Sequence, residues 1–173
     1  MVGQQTLDLF IMVRIHASQQ MDHLIKTIQH IVGRSADLKN KHTEETDAPV
    51  EFACIFCQNE DEYASFSQII KPLGHIVENT ETGFTYLLNE PVNTACGPLR
   101  LVKIRKPDQL RKERGDADFN TDYEMFKQKY VDQPNFELVK RDNFEMLRLS
   151  DPEFDAMACF SSIPKSKVLG VKL

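Results

Sequence analysis

The spacing of apolar residues separates a helical N-terminal segment from the rest of the chain. Between Ser18 and Val32 apolar side chains recur at the period of an amphipathic α-helix. Ser18 is a suitable N-cap and Gly33 a suitable residue just beyond a C-terminus, so we predict a helical segment within residues 1–33. Its earlier part, from Leu7 to Ile15, fits either a helix or a strand, and both remain open. Residues 34–49 are polar without periodicity, which predicts a linker.

Beyond this linker, short strand and helix patterns follow one another in an order that occurs twice. The first series has strand patterns at 50–57, 75–78, 84–88 and 99–105, with a helix pattern at 60–70. The second has strand patterns at 116–119, 136–140, 144–149 and 154–160, with a helix pattern at 122–130. Each series is therefore strand, helix, strand, strand, strand. This repeat predicts an α+β fold of two tandem βαβββ modules, at 50–106 and 115–161, followed by a tail at 162–173.

The two helix patterns carry matching aromatic residues. Phe66 lies three residues after Tyr63, and Phe126 lies three residues after Tyr123. Residues three apart share one face of a helix. We therefore expect Phe66 and Phe126 to occupy equivalent buried positions in the two modules.

The balance of charged residues disfavours some classes of binding partner. The chain has 21 Lys and Arg against 26 Asp and Glu, a formal net charge of −5. Nucleic acids and anionic membrane surfaces are bound through an excess of basic residues, so this balance disfavours both. The longest apolar run is too short to cross a bilayer, and no basic start with a small-residue cleavage site resembles a secretory signal. We expect a cytoplasmic protein.

Cysteines and histidines give two patterns that resemble metal or redox sites. Cys54 and Cys57 form a C-x-x-C, but no second pair accompanies them and their neighbours are typical of a strand, so we expect structural thiols. His16, His23 and His30 recur every seventh residue. On a helical wheel His23 and His30 lie opposite the apolar stripe, so we expect them to face solvent.

A basic stretch crosses the end of the first module and the turn after it. Acidic residues, including Asp116 and Asp118, follow immediately. The two sets either neutralise one another on a solvated loop or present cations to a small anionic ligand, a carboxylate or a phosphate. The basic residues are Arg100, Lys103, Arg105, Lys106, Arg111, Lys112 and Arg114.

The duplicated βαβββ order over residues 50–161 resembles the vicinal oxygen chelate superfamily, which includes glyoxalases, extradiol dioxygenases and antibiotic-resistance proteins. The local stretches that accompany it are Gly83-Phe84-Thr85-Tyr86-Leu87 and Gly97-Pro98-Leu99-Arg100-Leu101-Val102. The resemblance implies two modules that form one curved sheet around a cup. A ferredoxin-like duplication with another strand order, or another α+β arrangement, would give a similar one-dimensional pattern and stays open.

The resemblance also implies where ligands would bind. Metal-dependent members carry His, Glu or Gln on the first and fourth strands of each module, and these positions here lie near Glu51, Lys103, Asp118 and Asp155. A lysine does not ligate a cation, and none of these four strand patterns contains a histidine. We therefore expect no bound transition metal and no cofactor, and a weakly bound divalent ion on Glu51, Asp118 and Asp155 stays open. Glu51 and Asp155 fit solvent-facing strand positions equally well.

Two functions from different classes are consistent with the sequence. In the first, the inter-module cup binds a small anionic molecule, and Lys103 pairs with that anion or with Glu51, Asp118 or Asp155. In the second, the chain is a non-catalytic interaction module, with a homodimer as one form of contact. No nucleophile–base pair or phosphate-cradling glycine loop identifies a reaction, so catalytic residues and enzyme status are left open. The candidate ligand-binding residues are Glu51, Lys103, Arg105, Asp118 and Asp155.

Overall fold

The computed structural model describes the backbone of residues 2–173 and the side chains of residues 11–173. Its helices are α1 (Val2–His42), α2 (Glu60–Ile70), α3 (Tyr123–Tyr130) and α4 (Lys165–Leu169). Its strands are β1 (Val50–Phe56), β2 (Gly74–Thr80), β3 (Gly83–Thr94), β4 (Gly97–Arg105), β5 (Gly115–Phe119), β6 (Phe136–Lys140), β7 (Glu145–Leu149) and β8 (Ala156–Ser161). None of the helices in this part of the chain is both long and apolar enough to span a bilayer.

The eight strands form one mixed, open sheet in the order β2-β3-β4-β1-β5-β8-β7-β6. In each module the first strand pairs in parallel with the fourth, as β1 with β4 and β5 with β8. The remaining pairs within a module are antiparallel. Antiparallel pairing of β1 with β5 joins the modules at the centre of the sheet. The two βαβββ modules predicted from the sequence are therefore confirmed.

The first helix is longer than predicted. Helix α1 does not begin at a cap on Ser18, and it continues through Gly33 to His42. Residues 7–15 are therefore helical, and the polar segment 34–49 is a linker only beyond His42. A glycine inside a helix costs about 1 kcal/mol relative to alanine. Packing on both sides of Gly33 offsets this cost, because Ile31 and Leu38 are fully buried.

One face of the sheet carries the helices and the larger part of the core. Strand residues such as Ile55 and Val102 are fully buried there, with side chains from α1, α2 and α3 above them. Phe66 of α2 and Phe126 of α3 are both buried in this core, as predicted from their matched positions. Full burial of a phenylalanine contributes about 2–3 kcal/mol through the apolar area removed from water.

The opposite, concave face holds a smaller apolar cluster and the C-terminal segment. Alternate residues of β1, including Phe52 and Cys54, point to this side and pack with Leu101 and Met157. Leu169 of α4 and Val171 beyond it pack against the same cluster. The tail that the sequence predicted after residue 161 contains α4 and covers part of the concave face.

Candidate functional site

A cavity of about 460 Å³ opens on the concave face, with lining residues from both modules, and we call it the concave cavity. Strand alternation places polar residues in it. On β4, Lys103 and Arg105 face the cavity, whereas Val102 and Ile104 between and beside them are buried in the helix-side core. Six basic and four acidic side chains line it, which gives the cavity an excess of positive charge.

Lys103 is a partly buried cation on this face. Its Nζ donates a hydrogen bond to Oγ1 of Thr80 at 2.8 Å. Burial lowers the pKa of Lys103, against an opposing effect from Cys54 and Glu78. Among the described residues no carboxylate oxygen lies within ion-pair distance of its ammonium group. The structure does not pair Lys103 with a carboxylate of Glu51, Asp118 or Asp155, so the other part of the expectation, an anionic ligand, stays a prediction.

Two arginines stand beside Lys103 on the same side of the cavity. Arg105 donates from Nη2 to Oδ2 of Asp108 at 3.1 Å, and its guanidinium lies 5.2 Å from the ring centroid of Phe56. Arg111 lies 5.7 Å from the same centroid. Stacking on an aromatic ring holds a guanidinium in place while its N–H groups stay free for a ligand. We refer to Lys103, Arg105 and Arg111 as the basic wall.

Two aspartates of β5 face the cavity from the second module, and we call Asp116 and Asp118 the acidic pair. Asp118 is buried and accepts a hydrogen bond from Oγ of Ser161 at 3.1 Å. Burial raises the pKa of Asp116 to about 6, although Arg148 and Arg105 oppose this. Burial and the neighbouring charge of Asp116 raise the pKa of Asp118 to about 7. The two carboxyl groups of the acidic pair therefore change their protonation state near neutral pH.

The cysteines do not form a reactive site. Cys54 faces the concave cavity and Cys57 the helix-side core, so the C-x-x-C does not bring its two thiols together. Burial raises the pKa of Cys54 and Cys159 well above the usual value, which keeps both thiols neutral. All four cysteines are free thiols. In the described part of the chain, no three His, Cys, Asp or Glu side chains are grouped so that they could hold a metal ion.

Glu51 serves another purpose than ligand binding. It lies where the pairing of β1 with β5 shifts register, and its side chain is buried. The carboxylate accepts hydrogen bonds from the backbone N–H groups of Lys165 at 2.9 Å and Ser166 at 3.2 Å, and from the Ser166 hydroxyl. Its oxygens thus cap the N-terminus of α4. With Lys103 on the fourth strand, this donor set does not fit the metal that the resemblance implies.

Asp155 lies on the other side of the sheet, away from the concave cavity. It precedes β8 and faces α1, where Nε2 of His30 lies 2.7 Å from Oδ2 and Nε of Arg34 lies 3.4 Å from Oδ1. Burial alone would raise the pKa of Asp155, but the hydrogen bonds from His30 and Arg34 lower it. His30 is exposed as predicted, yet it is held by this carboxylate. His23 is also exposed, and its ring contacts Phe66 at 5.3 Å between centroids.

Of the five candidate residues, Lys103, Arg105 and Asp118 line the concave cavity, whereas Glu51 lies beside it against α4 and Asp155 lies on the helix side of the sheet. Sequence reasoning did not select Arg111, Asp116 and Arg148, which also line the cavity. Arg111 belonged to the basic stretch, and Asp116 lies two residues before Asp118 on the same strand face. These two signals could have identified them, whereas Arg148 lies on a strand with no distinguishing pattern.

Comparison with known proteins supports the fold and gives no function. No family model matches the chain, and no curated protein matches it. A solved structure titled "Structural Genomics, Protein EC4020" is similar with a TM-score of 0.68 and 12% identity, over 87% of this chain and 92% of that one. A glyoxalase/bleomycin resistance protein/dioxygenase superfamily member from Vibrio splendidus 12B01 has a TM-score of 0.45 and 10% identity, over 66% of this chain and 97% of that one. The two βαβββ modules form one curved sheet, and the first of these structures shares this architecture over most of both chains.

Proposed function

We propose that the protein binds a small anionic molecule, with carboxylate or phosphate chemistry, in the concave cavity. The observation that carries the proposal is Lys103, a partly buried ammonium group that donates to a threonine hydroxyl and has no carboxylate partner among the described residues. Keeping an unpaired cation away from water is unfavourable for folding. A ligand anion would offset this cost, because it would supply the missing charge where solvent is scarce.

The neighbours of Lys103 suit the same ligand. Arg105 and Arg111 offer planar donor groups, which bind carboxylates and phosphates with two parallel hydrogen bonds. The hydroxyl of Thr82 lies along the same side of the cavity and can donate to a ligand oxygen in place of its 3.1 Å contact with Thr80, whose own hydroxyl donates to the carbonyl of Gly83. A volume of about 460 Å³ is in the range of small-molecule sites.

Titration with inorganic phosphate and with glutarate tests this proposal. We expect either anion to raise the melting temperature of the protein and to give a saturable heat of binding by calorimetry. Lys103→Met should weaken binding by about tenfold or more, since it removes a charged hydrogen bond from a low-dielectric site. Lys103→Arg should retain part of the affinity because the charge is kept.

Lys71→Met is the matched control, because Lys71 is exposed at the end of α2 and its ammonium bonds only Gln68, at 3.4 Å, among the side chains that the structure describes. It should bind both anions like the unmodified protein. Absence of saturable binding to either anion, or equal affinity of the Lys103→Met and Lys71→Met variants, would overturn the proposal.

A second candidate function, association with another copy of the chain, has its own supporting observation. The apolar side chains Ile11, Met12, Val13 and Ile15 of α1 are all exposed. Ile11 and Ile15 lie four residues apart and therefore share one face of α1, which an apolar partner surface could cover. A symmetric dimer presents the same patch twice and would bury both copies at once. We propose a homodimer built on this part of α1.

A further inference from the structure

The concave cavity contains unpaired charges of both signs. On one side stands the basic wall, in which Lys103 and Arg111 have no carboxylate within 4.0 Å among the described residues. On the other stands the acidic pair, where likewise no basic group of the described residues reaches either carboxylate within 4.0 Å. Opposite charges that line one cavity would lower their energy by pairing directly, so a reason for their separation is needed.

Strand geometry supplies this reason. Lys103 and Asp116 are both register partners of Cys54, one from β4 and the other from β5. Neighbouring strands lie about 5 Å apart, so the two Cα atoms are separated by about 10 Å across β1. The Lys103 ammonium also extends towards Thr80 at the end of β2, which is the side away from β5. The sheet therefore holds the two charges apart across the width of the cavity.

The surroundings of Asp118 are negative as well as buried. Asp116 and Glu51 both act on it as like charges, whereas the nearest opposing influences are the Ser161 hydroxyl and Lys165. Lys165 is itself engaged, because its ammonium donates to Glu78 at 2.7 Å. The hydrogen bond from Ser161 satisfies one oxygen of Asp118 and leaves the other without a donor among the described residues. A cation placed here would relieve the mutual repulsion of these carboxylates.

We propose that the anionic ligand also carries a cationic group, such as a primary ammonium, and that Asp118 with Asp116 receives this group across the cavity from Lys103. The proposal rests on the proposed function, because the basic wall must hold the anionic end. The ligand class is therefore a zwitterion, an amino acid or an amino-alkyl phosphate in type. The acidic pair determines specificity for the ammonium end.

Two matched pairs of probes test the proposal: glutarate against L-glutamate, and ethyl phosphate against phosphoethanolamine. Within each pair the second compound differs chiefly by an added ammonium group. Calorimetry at pH 8, where the acidic pair is ionised, should show about tenfold tighter binding of the ammonium compound in at least one pair. Asp118→Asn should abolish that preference while retaining affinity for the plain anion.

Asp132→Asn is the control, since Asp132 is exposed after α3 and does not line the cavity. It should keep the preference unchanged. Asp116→Asn provides a second test and should reduce the preference, and a melting curve of each variant establishes that it is folded. Equal affinity within both pairs, or an unchanged preference in folded Asp118→Asn protein, would overturn this inference and leave the proposed function standing. If none of the four compounds binds, both fail.

Discussion

At the scale of single residues, the concave cavity shows how a side chain changes its chemistry with its surroundings. Asp116 and Asp118 are ordinary carboxylic acids in sequence, yet β5 places both in a cavity where burial disfavours the charged form. Arg105 and Arg111 line the same cavity, and a guanidinium is a fixed positive charge. The cavity thus combines fixed positive charge with titratable negative charge.

The raised pKa of Asp118 predicts how stability changes with pH. An aspartate titrates near pH 3.9 when unfolded, so the folded state of this protein holds its proton more tightly than the unfolded state. The resulting stabilisation is complete below about pH 4 and is lost as the pH rises through about 7. Urea unfolding should therefore give a free energy of unfolding that falls between pH 5 and pH 8.

Asp118→Asn should flatten this dependence and increase stability at pH 8 by about 2 kcal/mol, because no charge is buried. Asp116 would still contribute a smaller slope. The exposed control Asp132→Asn should show the unmodified profile. A steeper decline with pH in Asp118→Asn than in the unmodified protein would contradict this account.

At the scale of elements, the predicted helix bounds match the structure where residues next to the helix end set them. They differ where packing against distant residues sets them. Helix α2 was predicted within its observed bounds because its start is local: the side chain of Asn59 accepts from the backbone N–H of Glu62. Helix α1 was cut short because Ser18 and Gly33 resemble helix ends, whereas burial of Leu38 beyond Gly33 carries the helix onward. A local signal cannot report such a distant contact.

The candidate site residues also fall into two groups, those that line the concave cavity as expected and those that do not. Lys103 and Asp118 were predicted from the strand positions that the resemblance implied, and Arg105 from the basic stretch, and all three line the concave cavity. Glu51 does not line the cavity because a register shift in β1 directs its side chain to α4. Asp155 does not line it because β8 begins one residue later, at Ala156. Register shifts depend on pairing between distant strands, so one sequence does not reveal them.

The cap that Glu51 provides predicts a local effect. Glu51→Gln removes the negative charge at the start of α4 and places an amide N–H₂ group among the donors of Lys165 and Ser166. We expect a loss of about 1–2 kcal/mol in the free energy of unfolding. Hydrogen exchange should accelerate over residues 165–171 and stay unchanged in α2.

The matched control is Glu90→Gln, because Glu90 is exposed on β3 and does not accept a hydrogen bond from any described residue. It should alter neither stability nor exchange. Acceleration spread evenly over the whole chain in Glu51→Gln would indicate that Glu51 supports the entire sheet and not α4 in particular.

At the scale of the whole molecule, the proposed homodimer makes a prediction about mass. Light scattering during size exclusion should give twice the chain mass for the unmodified protein. The double variant Ile11→Glu/Ile15→Glu should give the single-chain mass, because burying two charges in an apolar contact is unfavourable. Leu110→Glu is the control, since Leu110 is 90% exposed on a loop far along the chain from α1 and should leave the dimer intact. A single-chain mass for the unmodified protein would contradict the dimer.

The sheet order has a consequence for the course of synthesis. Helix α1 leaves the ribosome before the eight strands, yet part of its partner surface is β8, the last of these strands, and Oγ of Ser35 donates to the carbonyl of Met157 at 2.7 Å. Likewise β1 emerges well before β4 and β5, the two strands that cover its edges. A nascent chain therefore carries an uncovered apolar helix and an open strand edge until the second module emerges. The period of greatest exposure to wrong partners thus falls before the chain is finished.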